Sequence, residues 1–247
     1  MKFFGSVEYY AEGAPYLFSW QHFLLMGILI GVCVVLPFFL KNISPKAKWW
    51  TIFTLWALKV LFEIVKLTAI IIVEGHMNWE EELPIHISNW FMYVTPFYLW
   101  GKGFVKDVAR TFLCTILLFG GLCNFFIPMA LNRYPAFSFF GLYSVSYHGM
   151  MVFVALLLWI TECRPKWTDP LLAFIPIAIA SIICIPVDYT QGWDYMFYLT
   201  GEGTPLASVS RWVYTILVFI GYFLVTCIFT YVPKWIVHMV EKNKDDE

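Results

Sequence analysis

Long apolar stretches separated by short polar segments make up most of the chain. About 20 consecutive apolar residues are needed for a helix to cross the hydrocarbon core of a bilayer. Seven stretches reach or approach that length, at residues 18–40, 49–73, 83–100, 111–130, 138–162, 168–187 and 211–233. The loops between them are short, so we expect an all-α protein with one seven-helix domain over residues 1–247.

The composition agrees with this pattern. Of the 247 residues, 60% are hydrophobic and only 13% are charged, and the charged share is about half that of soluble domains. We therefore predict a multi-pass protein of the cell membrane, with membrane lipids and no nucleic acid among its partners. The six cysteines are scattered without a CxxC pair, so a disulfide framework is not expected.

Basic residues in the short loops predict the orientation, because cytoplasmic loops carry an excess of lysine and arginine. The opposite side receives only Lys2, Arg133 and Arg211, beside several acidic residues. This asymmetry predicts an N-terminus outside and a cytoplasmic C-terminus. The cytoplasmic set comprises Lys41, Lys46, Lys48, Lys102, Lys106, Arg110, Arg164, Lys166, Lys234, Lys242 and Lys244.

The longest outer loop covers residues 188–210 and is rich in aromatic residues. Aromatic side chains favour the membrane interface, so this loop is predicted to form an interfacial segment or a lid. A merely amphipathic connector is the alternative.

Three charged residues lie within the second span. Lys59, Glu63 and Lys66 are spaced i, i+4, i+7, which places them on one face of a helix. Ionisable side chains within a span are costly and by default indicate function. A purely structural ion cluster, or lysines that reach toward water along their stems, is the alternative.

Polar residues of the first five spans fall at similar depths when each residue is counted as about 1.5 Å of helix rise. This common depth predicts a shared polar pocket in the outer leaflet. Its predicted members, besides Ser88 and His148, are His22, Lys59, Glu63, Lys66, His86, Asn89, Cys123, Asn124 and Tyr147. A single histidine within a membrane is often only an interhelical hydrogen-bond partner. No spacing requires His22, His86 and His148 to share a metal, so no metal or other cofactor is predicted.

Ser88 and His148 are the candidate catalytic pair. Pro84 fits the first turn of the third helix, which places Ser88 at the polar entry of that helix. A serine becomes a nucleophile when an adjacent base takes its proton, and His148 is a suitable base if Glu63, Asn124 or Tyr147 orients it. A serine inside a helix, however, more often bonds its own backbone.

Several segments together resemble the YwaF-like family of integral membrane proteins, which includes transmembrane protein 164. The resemblance rests on their order within the seven-span frame and covers most of the chain. The segments are FSWQH at 18–22, LPIHIS at 83–88, GLCNFFIP at 121–128, YSVSYHG at 143–149 and DYTQGWDYMFYL at 188–199.

The resemblance implies a phospholipid acyltransferase that uses a cysteine in the LPIHIS region and a histidine on a later helix. The family's usual motif is close to LPLHLC, so the cysteine position corresponds to Ser88, and the histidine corresponds to His148. Because serine is a weaker nucleophile than a thiolate, three readings stay open. They are a serine acyltransferase, an enzyme whose nucleophile lies elsewhere (Cys123 on the fourth span being the obvious substitute), and a relative that binds without catalysis.

Two functions from other classes remain open beside the enzyme. The paired charges of the second span also suit a carrier of lipids or small molecules, since transporters use such charges as relays. An accessory subunit that packs against a partner membrane protein is the other. A retinal protein is disfavoured, because the seventh span has no lysine for a Schiff base.

Overall fold

The structure is a computed structural model that describes residues 3–5, 10, 16–162, 165–197, 199, 206 and 208–245. The helical segments among them are α1 (Trp20–Phe39), α2 (Pro45–Glu74), α3 (Trp79–Glu82), α4 (Trp90–Trp100), α5 (Gly103–Cys114), α6 (Ile116–Phe126), α7 (Phe139–Thr161), α8 (Asp169–Gln191) and α9 (Arg211–Asp245). Short 3₁₀ turns cover Ile87–Asn89 and Met129–Asn132. No strand occurs in this part of the chain, so the prediction of an all-α fold is confirmed.

Five helical segments of the described chain are long and apolar enough to cross a membrane. They are Trp20–Phe39, Gly103–Asn132, Phe139–Thr161, Asp169–Gln191 and Arg211–Pro233. Helix α2 is not one of these five segments. Its 30 residues exceed the length that a bilayer requires, but it carries the three charges of the second span. These helices agree with a polytopic membrane protein, as predicted; the inside–outside orientation stays a prediction.

The chain divides into two compact units. The first comprises residues 1–84 and 120–161, and the second comprises residues 85–119 and 162–247. In the first unit α7 packs against α1 and α2, and in the second α5 packs against α4 and α8 while α8 packs against α9. The single domain predicted for residues 1–247 is not tested by this division.

The third predicted span differs from the structure. It was expected over 83–100 with Pro84 in the first helical turn, but α4 begins only at Trp90 and has 11 residues. Side-chain bonds hold the preceding residues in another conformation: the indole N–H of Trp90 donates to the carbonyl of Ile85 over 3.1 Å, and His86 contacts the carbonyl of Tyr195. Pro84 therefore lies in a turn before the helix.

The fourth predicted span, 111–130, differs in the opposite direction, because its helix begins earlier than expected. Helix α5 starts at Gly103, so Lys106 and Arg110 lie within a helix and not in the predicted loop. The helix is interrupted at Thr115, whose hydroxyl donates to the carbonyl of Thr111 over 2.8 Å. Such bonds back to the preceding turn bend helices.

The outer loop begins later than predicted, since α8 continues to Gln191. Tyr195 and Met196 are fully buried, whereas Phe197 is exposed. Residues 198, 200–205 and 207 of the predicted lid lie outside the described part of the chain. The lid therefore stays a prediction.

The described cysteines, Cys33, Cys114, Cys123, Cys184 and Cys227, are free thiols.

Two glycines allow neighbouring helices to approach α7 closely. A Cβ added at Gly149 would lie 2.8 Å from Leu29 Cδ2 and 2.9 Å from Cys33 Sγ. The structure therefore places α1 against α7 at Gly149. A π-helical turn, Ile30–Val35, includes Cys33. It ends two residues before Pro37, which has no N–H to donate to the preceding turn.

The second glycine is Gly121 on α6. An added Cβ would lie 2.9 Å from the backbone oxygen of His148 and 2.6 Å from Val152 Cγ2. Because one of these atoms belongs to the backbone of α7, the helices themselves must separate to admit a methyl group.

We expect Gly121→Ala to destabilise the protein by about 1–3 kcal/mol, the usual cost of overpacking. Thermal unfolding of purified protein in detergent would measure the change. Gly27→Ala is the matched control, because a Cβ at Gly27 on α1 would meet nothing within 4 Å. Equal stability of both variants would contradict a close α6–α7 contact at this residue.

Candidate functional site

A network of buried charges lies between α2 and α3 in the first unit. Lys59 Nζ is 2.5 Å from Glu63 Oε2, and Lys66 Nζ is 2.9 Å from Glu63 Oε1 and 3.0 Å from Glu82 Oε2. Lys59 is fully buried and Glu63 almost so. The structure therefore brings the three charges of the second span together and adds Glu82, which balances them as two positive and two negative groups.

Two tyrosines of α7 complete this network of Lys59, Glu63, Lys66 and Glu82, which we call the charge cluster. The ammonium group of Lys59 donates to the Tyr143 hydroxyl over 2.5 Å, and that hydroxyl donates to Glu63. Lys59 Nζ also lies 4.2 Å from the centre of the Tyr147 ring, within the range of a cation–π interaction. Tyr147 was a predicted pocket residue. Tyr143 was not, although it precedes Tyr147 by one helical turn in the sequence.

His148 has one ring nitrogen fixed by the backbone. Its Nδ1 is 2.8 Å from the carbonyl oxygen of Ser144. A carbonyl only accepts hydrogen bonds, so Nδ1 must carry a proton and donate it. In the neutral ring Nε2 then carries a lone pair, and the ring makes no second hydrogen bond within the described residues.

The carbonyl group of Ser144 orients the His148 ring. Glu63, Asn124 and Tyr147 were the candidates, but the carbonyl of Ser144 occupies Nδ1. Tyr147 contributes in another way, because its ring lies 4.0 Å from the His148 ring between centroids. Tyr147 therefore connects the charge cluster to His148 by ring contacts.

His22 is a structural histidine. The backbone N–H of Phe18 donates to its Nδ1 over 3.1 Å, and its Nε2 donates to the carbonyl of Phe125, also over 3.1 Å. Both ring nitrogens are used, and the ring is buried. His22 thus joins α1 to α6 in the first unit and has no nitrogen left to act as a base.

Cys123 and Asn124 point in different directions from α6. Cys123 is exposed and follows Gly121 by two residues, so it does not share the helix face that meets α7 at His148. Asn124 follows Gly121 by three residues and does share that face. Its Oδ1 is buried and has no hydrogen-bond partner within the described residues. The geometry thus gives more support to Asn124 than to Cys123 as a neighbour of α7.

Ser88 lies in the second unit, in the 3₁₀ turn Ile87–Asn89 that precedes α4. Its neighbour Asn89 is buried. His86 Nδ1 donates to the carbonyl of Tyr195 over 2.9 Å, and the Tyr195 N–H donates to Asp188 Oδ1 over 3.1 Å. The turn that carries Ser88 is therefore held against the segment after α8.

Asp188 is a buried residue that was not among the predicted site residues. It is fully buried, and its Oδ2 has no hydrogen-bond partner within the described residues. It was assigned to the outer loop, where an acidic residue is ordinary. Only the tertiary contact with Tyr195 distinguishes it.

The predicted site residues belong to both units. His22, Lys59, Glu63, Lys66, Cys123, Asn124, Tyr147 and His148 are in the first, while His86, Ser88 and Asn89 are in the second. The shared pocket and the pairing of Ser88 with His148 stay predictions. In the described part of the chain, no three or more His, Cys, Asp or Glu side chains are grouped so that they could hold a metal ion.

Comparison with protein families gives one finding that bears on this site. The sequence model of the TMEM164 family matches residues 17–231, a range that includes every predicted site residue. No curated protein and no solved structure matches the chain.

The charge cluster predicts that removing Glu63 alone costs more stability than removing Lys59 and Glu63 together. We expect Glu63→Gln to destabilise the protein by about 3–5 kcal/mol, because it removes the carboxylate partner of the buried Lys59. The double variant Lys59→Met/Glu63→Gln should recover much of that loss, since Lys66 and Glu82 still balance each other. Thermal unfolding in detergent would compare them.

Asp107→Asn is the matched control for this comparison. Its partner Arg110 lies 3.0 Å away at i+3, but the Asp107 side chain is 42% exposed. Exposed ion pairs contribute at most about 1 kcal/mol, so this change should have little effect. If the double variant were as unstable as Glu63→Gln alone, the loss of stability in Glu63→Gln would not come from an unpaired charge on Lys59.

Proposed function

Because the chain belongs to the TMEM164 family of transmembrane proteins, we propose that it is an acyltransferase-like enzyme that moves acyl chains between membrane lipids. We place it in the cell membrane, with Ser88 as nucleophile and His148 as general base. The observation that carries this proposal is the tautomer of His148, whose Nδ1–H is bound to Ser144 O. The lone pair on Nε2 is what a general base requires.

The location of Ser88 also supports the proposal. A serine in the interior of an α-helix tends to bond the carbonyl four residues earlier. Ser88 instead lies in a 3₁₀ turn before α4, so it is not part of an α-helical interior. The hydrogen bonds of His86 and Tyr195 hold this turn in place, which reduces the cost of presenting a nucleophile in one orientation.

The proposed reaction has two balanced steps. Ser88 Oγ attacks the carbonyl carbon of a lipid ester while His148 Nε2 takes the hydroxyl proton. The ester C–O bond then breaks, and the departing lysolipid oxygen receives that proton from His148. In the second step the hydroxyl of another lysolipid attacks the carbonyl carbon of the Ser88 ester while His148 Nε2 takes its proton. The bond from that carbon to Ser88 Oγ breaks, and Oγ receives the proton from His148.

The charge cluster would act as a support in this reaction. Lys59 contacts the Tyr147 ring, and Tyr147 contacts His148. These contacts favour one position of the imidazole without supplying a further proton acceptor. Lys59 and Glu63 are therefore proposed as positioning residues and not as groups that touch the lipid.

We expect Ser88→Ala and His148→Ala each to lower acyl transfer by at least about 10²-fold, because each removes one member of a unit. The measurement uses purified protein in liposomes that contain a phospholipid with a labelled acyl chain and an unlabelled lysophospholipid. Mass spectrometry of the products reports transfer. The double variant should be no slower than either single variant, as members of one catalytic unit are non-additive.

Two further variants sharpen this test. Ser88→Cys should retain or raise activity, because a thiolate is the stronger nucleophile. Cys123→Ala should leave it unchanged. If only Cys123→Ala abolished transfer, the nucleophile would be Cys123 on α6 and not Ser88. Wild-type protein without transfer would overturn the proposal in favour of a non-catalytic carrier or an accessory subunit of a membrane complex.

A further inference from the structure

An apolar groove lies in the second unit between α4, α5 and α8. Its volume is ≈ 310 Å³, at the small end of the range for ligand pockets. Phe104, Val105 and Ala109 of α5 and Ile179 of α8 are among its lining residues. A groove of this size holds part of one lipid chain and is too small for a whole phospholipid.

One wall of the groove follows a single face of α4. Trp90, Tyr93, Val94 and Phe97 line it, and their i, i+3, i+4, i+7 spacing extends along the helix for about 10 Å. Ser88 precedes Trp90 by two residues. One end of the groove is therefore at the turn that carries Ser88, and the other approaches the end of α4.

The groove has a buried floor and open sides. Val94 and Ala109 are buried, whereas Phe97, Phe104 and Ile179 are large apolar residues left exposed. Ile182, one turn further along α8, is 75% exposed. Because α8 is an apolar helix long enough to span the membrane, the open side of the groove is continuous with the surface that contacts lipid.

We propose that this groove binds the acyl chain of the phospholipid whose ester reacts at Ser88. This inference rests on the proposed function and adds a specificity site to it. Lipid tails are as apolar as the groove, so transfer from the bilayer provides no hydrophobic driving force. The groove therefore selects chains by shape, through packing of the chain against Val94 and Ala109.

The test uses a phospholipid that carries a photoactivatable group near the end of one acyl chain. Liposomes containing the Ser88→Ala protein and this probe are illuminated, and the labelled peptides are identified by mass spectrometry. We expect labelling of residues on α4 and α5 that line the groove. The Ser88→Ala protein is used because labelling then reports binding without turnover.

Two matched variants locate the binding. Val105→Trp narrows the groove from a half-exposed position, and Ile182→Trp places the same side chain on α8 outside the lining. We expect Val105→Trp to reduce labelling at least fivefold and, in active protein, to shift transfer toward shorter chains. Ile182→Trp should change neither. Thermal unfolding of both variants checks that each is folded.

The outcomes separate this inference from the proposed function. Groove labelling that Val105→Trp reduces supports binding of a phospholipid acyl chain in the groove even if the wild-type protein transfers no acyl chain, and in that case only the reaction at Ser88 fails. Equal labelling in Val105→Trp and Ile182→Trp would overturn the inference even if transfer occurs. Labelling of the groove by a free fatty acid probe but not by the phospholipid would also overturn it.

Discussion

The first unit depends on the neutralisation of Lys59. This lysine is fully buried in a helix between apolar turns, and an unpaired charge there would cost several kcal/mol. Glu63 one turn away provides the opposite charge, and Tyr143 and Tyr147 provide a hydrogen bond and ring faces from α7. Lys59 thereby ties α7 to α2.

That constraint extends to the histidine on α7. His148 follows Tyr147 directly, so the ring contact that shields Lys59 also limits where the imidazole can lie. The comparison with His22 is informative. Both are buried histidines of the same unit, but His22 uses both nitrogens in bonds to the backbone, whereas His148 uses one. The difference in hydrogen bonding, and not in burial, separates a structural histidine from a candidate base.

Apolar length and helical spacing were sufficient to predict much of this structure. The all-α class follows from the seven apolar stretches, and the contact of Lys59, Glu63 and Lys66 follows from their shared helix face. The start of α4 did not follow, because apolar residues at 83–89 satisfy the same pattern while Trp90 and His86 hold them out of the helix. The tautomer of His148 and the burial of Asp188 depend on individual contacts, which residue spacing does not encode.

The unequal lengths of α2 and α4 have a consequence for how the protein fits membranes of different thickness. At about 1.5 Å per residue, α2 measures about 45 Å and α4 about 16 Å, against a hydrocarbon core of about 30 Å. A change of a few ångströms in thickness is absorbed at the ends of α2 or by its tilt, and Lys59 stays far from water. For α4 the same change is a large fraction of its length. Hydrophobic mismatch therefore acts on the short helix next to Ser88 and leaves the charged helix almost unaffected.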